Sequence, residues 1–273
     1  KKTYRPFFSG LLLLYFFSLS KRNLEIYKKK VIIVFKISTE LLQMTGEHAV
    51  AVIVAAGKGS RMGENRNKLL LPLGTSTILE TSLEPFLKHS RIRKIYLAAS
   101  LQDLQLIKKM IPEEVFLVEG GKRRQDSVHN ALVEVMKEKN IPDAVLIHDG
   151  ARPFCSANLI DRVLDATHKH DAAIPVLPIN DTVRRITVEK TNVVDRSGLY
   201  SVQTPQGFRP ELIYAASSKA KNTDVTDDAS LIEKTAQRVA SVEGEVHNIK
   251  ITTPADLEQA RWIINSLNHV RIK

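Results

Sequence analysis

The chain has 273 residues, with 40 basic and 30 acidic side chains, and 43% of its residues are hydrophobic. This length and composition are typical of a globular protein, which excludes wholesale disorder, a collagen-like chain and a coiled coil. The single cysteine, Cys155, excludes a secreted scaffold held together by internal disulfides.

The net charge of +10 is distributed unevenly along the chain. Residues 1–43 contain nine basic and two acidic side chains, which is +7 of that charge, and eight of the sixteen aromatic residues. The remaining residues, 44–273, carry only +3 and show no basic stripe interleaved with aromatic side chains. This pattern argues against a nucleic-acid-binding protein, and we expect no nucleic-acid partner.

The basic and aromatic segment 1–43 is predicted to be a leader outside the folded domain. Its apolar run, 7–19, follows basic residues as in a signal or anchor segment, but it is shorter than the roughly 20 residues that span a bilayer. Two interpretations stay open. In the first, Met44 is the true start and the protein is cytoplasmic. In the second, the leader is a membrane anchor or a degenerate targeting peptide, and it is then the source of any membrane contact.

From residue 49 onwards, apolar runs alternate with segments of helical periodicity. The predicted strands are 49–56, 94–100, 115–118, 144–148 and 172–177. The predicted helices between them are 78–87, 101–111, 125–139 and 157–168. Strands that alternate with helices across short turns require crossover connections. The sequence therefore predicts an α/β fold with a doubly wound, mostly parallel sheet.

Residues 181–207 interrupt this alternation. Two β-rich segments of mixed polarity, 182–188 and 192–196, predict a protruding β-hairpin arm at about 181–200 that packs on something other than the core. The later predicted elements are helices 211–220 and 228–236, a strand pair around 241–252, and a last helix, 254–267, capped by Thr253. Without an internal repeat or a long linker, 44–273 is predicted to be a single domain.

A glycine-rich turn with Gly57, Gly59 and Gly63 follows the first predicted strand. Such a turn lets backbone N–H groups approach phosphates, although a simple tight turn has the same composition. A dinucleotide fingerprint does not fit, because the third glycine comes one residue late and the second strand ends without an acid. A P-loop does not fit either, because Gly-Lys-Ser/Thr is missing. Two cations near the turn, Arg61 and Lys68, suit the charge that develops on a triphosphate during transfer.

The fourth predicted strand ends in His148-Asp149-Gly150-Ala151-Arg152-Pro153. Ligands of open α/β sheets bind beyond the carboxyl ends of strands, where an aspartate can help to hold Mg²⁺. The alternatives are a turn cap for Asp149 and a surface ion pair for Arg152. We expect His148 to be a packed or hydrogen-bonded strand residue rather than a catalytic base.

Further along the chain, these motifs continue as an ordered series. The series comprises Ala-Ala-Gly-x-Gly-x-Arg-Met with a lysine seven residues after the arginine, Gly-Gly-x-x-Arg-x-x-Ser-Val (120–128), His-Asp-Gly-Ala-Arg-Pro (148–153), Asp181-Thr182, Asp195-Arg196, Thr-Pro-Gln (204–206), Thr-Asp-Asp-Ala-Ser (226–230) and Asn-Ile-Lys (248–250). In this order it closely resembles the 2-C-methyl-D-erythritol 4-phosphate cytidylyltransferase family of the non-mevalonate isoprenoid pathway, over about residues 48–268. The first motif alone is typical of nucleotidyltransferases in general.

The resemblance implies a Rossmann-like nucleotidyltransferase that transfers CMP from CTP to 2-C-methyl-D-erythritol 4-phosphate, with Mg²⁺ as cofactor and pyrophosphate as the second product. It implies catalytic roles at the phosphates for Arg61, Lys68, Arg196 and Lys250. Positions that match the nucleotide site are Ala55, Ala56, Gly57, Gly121, Ser127 and Asp149, of which Asp149 also matches the metal site. Positions that match the methylerythritol phosphate site are Arg152, Thr182, Thr204 and Thr226. A homodimer is also implied, with the arm reaching into the partner's site.

The chemistry of the residues agrees with this activity. Both substrates are polyanions, so cations and Mg²⁺ must neutralise their repulsion before a bond can form. The attacking phosphate oxygen is already anionic, so direct in-line displacement needs no activated serine, cysteine or histidine. An alternative is a cytidylyltransferase for another polyol phosphate, such as ribitol 5-phosphate. Another is a catalytically inactive binding module, which the presence of Arg61, Lys68 and Asp149 disfavours.

Overall fold

A mostly parallel β-sheet runs through the folded part of the chain. The computed structural model describes residues 48–57, 67–220, 227–235 and 237–271, all of which belong to one compact unit, 48–273. The predicted leader 1–43, Arg61 and Thr226 lie outside the described residues.

The elements of the described residues follow one another in the order that the sequence predicts, with a few additions. The strands are β1 Ala49–Val54, β2 Pro72–Leu73, β3 Ser76–Thr77, β4 Ile92–Ala99, β5 Val115–Glu119, β6 Ala144–Asp149, β7 Ala172–Pro178, β8 Val183–Ile186, β9 Thr191–Val194, β10 Tyr200–Val202, β11 Gln206–Phe208 and β12 Ala240–Glu243. The α-helices are α1 Ile78–Leu87, α2 Leu104–Lys108, α3 Arg124–Val135, α4 Ala157–His170, α5 Pro210–Lys219, α6 Ala229–Glu233 and α7 Pro254–Arg271. A short 3-10 helix, Lys68–Leu70, precedes β2.

The main sheet has the strand order β10-β7-β11-β6-β1-β4-β5, and β12 pairs with β7 as well. β1 lies between β4 and β6 and is parallel to both, and β4 is parallel to β5. The short β11 is antiparallel to both of its neighbours, β6 and β7. The doubly wound, mostly parallel α/β fold predicted from the sequence is confirmed, with antiparallel strands added at one side.

Burial on both faces explains why β1 is apolar at every position. Successive side chains of a strand point to opposite faces, so Ala51 and Ile53 pack in one core cluster with α1, α4 and α7. Val50 and Val52 pack in a second cluster with α3, α5 and α6 on the other face. Ile53 is completely buried, and burying a side chain of this size contributes about 1.5–3 kcal/mol.

Several predicted elements differ from the structure. The helices predicted at 125–139 and 228–236 end earlier, at Val135 and Glu233. The helix predicted at 101–111 covers only 104–108. The strand pair predicted around 241–252 was wrong, because β12 alone forms there. After β12, the side-chain amide of Gln203 takes the place of a neighbouring strand. Its Nε2 donates to the carbonyl of Glu245 at 2.9 Å, and its Oε1 accepts the Glu245 N–H at 3.0 Å. These bonds satisfy the backbone without a second strand.

The β-hairpin predicted within the arm segment 181–200 is present. β8 and β9 pair antiparallel with each other in a separate two-stranded sheet. Large apolar side chains of the arm face solvent, since Ile186 is 78% and Val193 is 60% exposed. None of the described helices is long and apolar enough to cross a membrane.

Candidate active site

A cleft of about 1080 Å³ opens at the carboxyl ends of the parallel strands. Its walls come from the segments that follow β1, β4, β5 and β6, together with Lys68, Lys250 and Thr252. This is the edge where the sequence predicted a ligand site, since the carboxyl ends of parallel strands share one edge of the sheet.

The turn after β1 forms one wall. Ala56 and Gly57 line the cleft, whereas Ala55 is buried and its N–H donates to the carbonyl of Ala98 at 2.8 Å. Among the residues that the structure describes, none has an atom within 4 Å of a Cβ added at Gly57. The described end of this segment therefore leaves room for a ligand to approach the main chain at Gly57.

Packing, rather than ligand access, requires glycine in the turn after β5. A Cβ at Gly120 would lie 2.4 Å from the Cβ of Ala56, and one at Gly121 would lie 2.2 Å from the Cβ of Asp126. The buried Ser127 hydroxyl accepts the Gly121 N–H at 3.0 Å and donates to the carbonyl of Arg123 at 3.1 Å. Ser127 thus fixes the loop that lines the cleft.

Lys68 is placed by the 3-10 helix at the floor of the cleft. The Asn67 side chain caps this helix by accepting the Leu69 N–H at 3.1 Å, and its Nδ2 donates to Asp103 at 2.9 Å. Lys68 Nζ donates to the carbonyl of Ile251 at 2.6 Å. Because Ile251 directly follows Lys250, this bond ties Lys68 to the backbone segment that carries the second lysine of the cleft.

Asp149, the last residue of β6, is buried among cations. Its carboxylate lies 2.9 Å from Arg124 Nε and 2.7 Å from Lys250 Nζ, and Arg152 Nε is 3.9 Å away. Burial alone would raise the pKa of Asp149, but Arg124 and Lys250 together hold it far below its ordinary value. The carboxylate is therefore ionised at neutral pH, as a metal ligand must be.

The residues next to Asp149 hold its backbone. Thr204 Oγ1 accepts the Asp149 N–H at 3.0 Å and lies 3.1 Å from His148 Nδ1. Burial lowers the pKa of His148 to about 4, so the ring is neutral at pH 7, and its Nε2 lies 3.0 Å from the carbonyl of Arg152. His148 is thus a packed, hydrogen-bonded residue, as expected. The Arg152 guanidinium donates to the carbonyl of Asn248 at 2.8 Å.

Three further residues of the motifs, Arg124, Gln206 and Asp228, support the site, although the sequence predicts no role for them. Arg124 spans two carboxylates, since its NH2 group also lies 2.8 Å from Oδ2 of the fully buried Asp228. That contact is an ion pair by distance, although its N–H is not aligned as a hydrogen bond. Burial raises the pKa of Asp228, and the Arg124 charge opposes this. Gln206 fixes the Asp228 turn by accepting the Ala229 N–H at 3.1 Å.

The predicted site residues that the structure describes fall into three groups. Those that line the cleft are Ala56, Gly57, Lys68, Gly121, Ser127, Asp149 and Lys250. Ala55, Arg152 and Thr204 lie directly behind it, bonded to cleft residues or their neighbours. Thr182 and Arg196 are exposed on the arm, away from the lining. Arg61 and Thr226 are not among the described residues, so the structure does not place them.

The carboxylate of Asp149 suits one hard divalent cation whose other ligands are water and the phosphates of a bound substrate. No cluster of three or more acidic, histidine or cysteine side chains suited to a metal occurs in the described part of the chain. Asp149 offers an ionised carboxylate whose charge is shared with lysine and arginine. Mg²⁺ is commonly bound in this way, through one or two carboxylates with water and substrate phosphates completing its shell.

The doubly wound sheet, with Gly57 after β1, Lys68 in the same cleft and an ionised aspartate at the end of β6, fits the nucleotidyltransferase class. Residues 49–266 match the model of the family described as 2-C-methyl-D-erythritol 4-phosphate cytidylyltransferase. The chain belongs to this family.

Known relatives agree with this assignment over nearly their whole length. The chain is 41% identical over 228 residues to the 2-C-methyl-D-erythritol 4-phosphate cytidylyltransferase of Bacillus cytotoxicus, covering 81% of this chain and 97% of the relative. It is 38% identical over 226 residues to that of Geobacillus kaustophilus, covering 79% and 96%.

Solved structures are similar as well. The cytidylyltransferase of this name from Thermus thermophilus has a TM-score of 0.66 and 34% identity, covering 79% of this chain and 98% of that one. The 4-diphosphocytidyl-2C-methyl-D-erythritol synthase from Anaerococcus prevotii has a TM-score of 0.70 and 31% identity, covering 81% and 99%.

Proposed function

We propose that the cleft transfers the cytidylyl group of CTP to 2-C-methyl-D-erythritol 4-phosphate and releases pyrophosphate. An oxygen of the acceptor phosphate attacks the α-phosphorus of CTP in line with the leaving pyrophosphate. One P–O bond forms and the bond between the α- and β-phosphates breaks. The observation that carries this proposal is the row of groups in the cleft: Lys68 bonds to Ile251, and the adjacent Lys250 pairs with Asp149.

The cations have distinct tasks in this mechanism. Lys68, with Arg61, neutralises the charge that grows on the α-phosphate in the transition state, and this preorganised charge is the main source of rate in phosphoryl chemistry. Lys250 binds the phosphate of the acceptor. The open backbone at Gly57 receives the triphosphate, whose negative charge suits N–H groups at a strand-to-helix turn.

We assign the metal site to Asp149. Bound Mg²⁺ supplies further neutralisation of the triphosphate and polarises the reacting phosphate. For its part, the chain keeps Asp149 ionised and fixes its backbone through Thr204. Gly121 and Ser127 hold the wall where the cytidine binds.

We further propose a homodimer in which the arm completes the partner's cleft. Thr182 and Arg196 then act on the acceptor bound in the other subunit. Two observations support this. The arm residues are exposed and lie away from the cleft lining, and exposed apolar side chains such as Ile186 suit a protein partner. We place the active enzyme in the cytoplasm, which agrees with the free thiol of Cys155.

A pyrophosphate-release assay tests the proposed reaction. The full chain and residues 44–273 are each incubated with Mg²⁺, CTP and one acceptor: methylerythritol 4-phosphate, ribitol 5-phosphate or no acceptor. We expect turnover with methylerythritol 4-phosphate in both preparations. Markedly better turnover with ribitol 5-phosphate would contradict the proposed acceptor. Activity lost only in 44–273 would show that the leader is needed for the fold or the chemistry.

A further inference from the structure

The two oxygens of Asp149 face different cations. Oδ1 lies 2.9 Å from Arg124 Nε, while Oδ2 lies 2.7 Å from Lys250 Nζ. Arg152 Nε also faces Oδ2, but at 3.9 Å it is beyond hydrogen-bond distance, so Lys250 makes the direct contact with this oxygen. A divalent cation that binds Asp149 must replace one of these contacts or share the oxygen with it. The surroundings of the two cations show which contact is fixed and which can be released.

The Arg124 contact is anchored from behind. Arg124 NH2 lies 2.8 Å from Asp228, whose side chain is 1% exposed, so the guanidinium is held between two carboxylates. The Lys250 ammonium has one such carboxylate partner among the described residues. The two cations are similarly exposed, 37% for Lys250 and 29% for Arg124, so the number of buried carboxylate partners distinguishes them. A lysine with one carboxylate partner moves at a lower cost than an arginine held between two buried carboxylates.

The anchor itself is built into the fold. Asp228 lies at the start of α6, and Gln206 of β11 accepts the N–H of the next residue, Ala229, at 3.1 Å. Gln206 also donates to Asp227 at 3.2 Å. Thr204, two residues before Gln206, accepts the Asp149 N–H at 3.0 Å. One short segment therefore fixes both the backbone of Asp149 and the anchor of its side chain.

We propose that Arg124 and Asp228 are positioning residues, which lock Oδ1 of Asp149 and leave Oδ2 as the oxygen that a divalent cation takes over from Lys250. Neither residue contacts the metal in this arrangement. They act through Asp149 by fixing its side-chain orientation. The inference rests on the proposed function only in taking Asp149 as the metal ligand.

The test compares two conservative variants with a matched control. Asp228→Asn keeps the shape but removes the anchoring charge, and Arg124→Lys keeps the charge but not the fork that spans two carboxylates. Glu138→Gln is the control, because Glu138 is a little-exposed acid that pairs with Arg93 and Lys94 near the opposite edge of the sheet. Each protein is examined for CTP-dependent Mn²⁺ binding by electron paramagnetic resonance, for kcat with Mg²⁺, and for thermal unfolding.

We expect Asp228→Asn and Arg124→Lys each to weaken Mn²⁺ binding and to lower kcat by about tenfold, the usual cost of losing a group that orients a metal ligand. Glu138→Gln should change thermal stability alone. Because the residues act through Asp149, adding Asp228→Asn to Asp149→Asn should lower Mn²⁺ affinity and kcat no further.

Three outcomes would overturn the inference: wild-type Mn²⁺ affinity and kcat in both variants, a full additional loss in the double variant, or failure of both single variants to fold, which would make the pair structural. If the wild-type chain shows no cytidylyl transfer while the variants still bind Mn²⁺ more weakly, the proposed function fails and the positioning role stands.

Discussion

The cleft and the arm are opposite kinds of region. In the cleft, Asp149 and Lys68 are held by other groups of the same chain: Asp149 by three cations and a backbone bond, and Lys68 by the carbonyl of Ile251. In the arm, β8 and β9 bond to each other in a sheet of their own, and Arg196 is exposed. A region that is fixed within one chain can position a reaction, whereas a region that projects from it suits a second chain.

The difference has a chemical consequence for the proposed reaction. Reacting groups must be held rigidly, because a small displacement of these groups lowers the reaction rate strongly. Under the proposed dimer, Arg196 positions a substrate only after the arm packs on a partner. Three experiments test this contrast between the cleft and the arm.

The largest effect is expected at Lys68. We predict that Lys68→Ala lowers kcat by about 100-fold or more, because a charge contact made in the transition state is lost. The matched control is Lys88→Ala, which removes an exposed lysine paired with Glu84 on α1. Pyrophosphate release measures kcat, and thermal unfolding verifies the fold. A Lys68→Ala enzyme with wild-type kcat would remove this residue from the chemistry.

Substitutions at two glycines of the cleft distinguish a residue needed for packing from one needed for ligand access. A Cβ at Gly121 overlaps Asp126 at 2.2 Å, so Gly121→Ala should destabilise the fold by about 1–3 kcal/mol. A Cβ at Gly57 meets no atom of the described residues within 4 Å, so we expect Gly57→Ala to unfold at the wild-type temperature. Its methyl group would instead obstruct the triphosphate and raise the KM for CTP by about tenfold, a loss of about 1.4 kcal/mol in binding. An unchanged KM for CTP would show that phosphates do not approach this turn.

Much of the fold was predictable because its signals are local. The strictly apolar β1 and the capped helix starts follow from periodicity and from side chains near in sequence. The 3-residue strands β10 and β11 were missed, since so few residues carry no period. The segment after β12 was mistaken for a strand because its partner, the Gln203 amide, lies 42 residues away along the chain.

In the site, too, residues marked by a local sequence signal were predictable and residues that depend on distant contacts were not. Lys68 and Asp149 were predictable, because each stands at a recognisable strand end or glycine turn and carries a charge suited to phosphate or metal. Arg124 and Asp228 stood inside quoted motifs, but their role depends on a contact between residues 104 positions apart. Only the fold brings such groups together. The arm's role depends on a second chain, so one chain's sequence carries no direct signal for it.

Recovery of activity in mixed dimers is the experiment that decides between the two regions. Under the proposed dimer, Lys68→Ala and Arg196→Ala proteins are each inactive alone, because every cleft has either a defective floor or a defective arm. When the two are unfolded and refolded together, each mixed dimer has one intact cleft: the Arg196→Ala subunit supplies Lys68, and the Lys68→Ala subunit supplies Arg196. The other cleft carries both lesions.

Random pairing under closed two-fold symmetry makes about half of the dimers mixed, so activity should rise to roughly a quarter of the wild-type level. Mixing Lys68→Ala with Lys250→Ala provides the control. Both of these residues line the same cleft and lie next to each other through Ile251, so no intact cleft forms in any combination. If Arg196 serves its own subunit, the first mixture also stays at the level of the separate variants. That result, with subunit exchange verified by differently tagged chains, would show that the arm completes its own cleft and not its partner's.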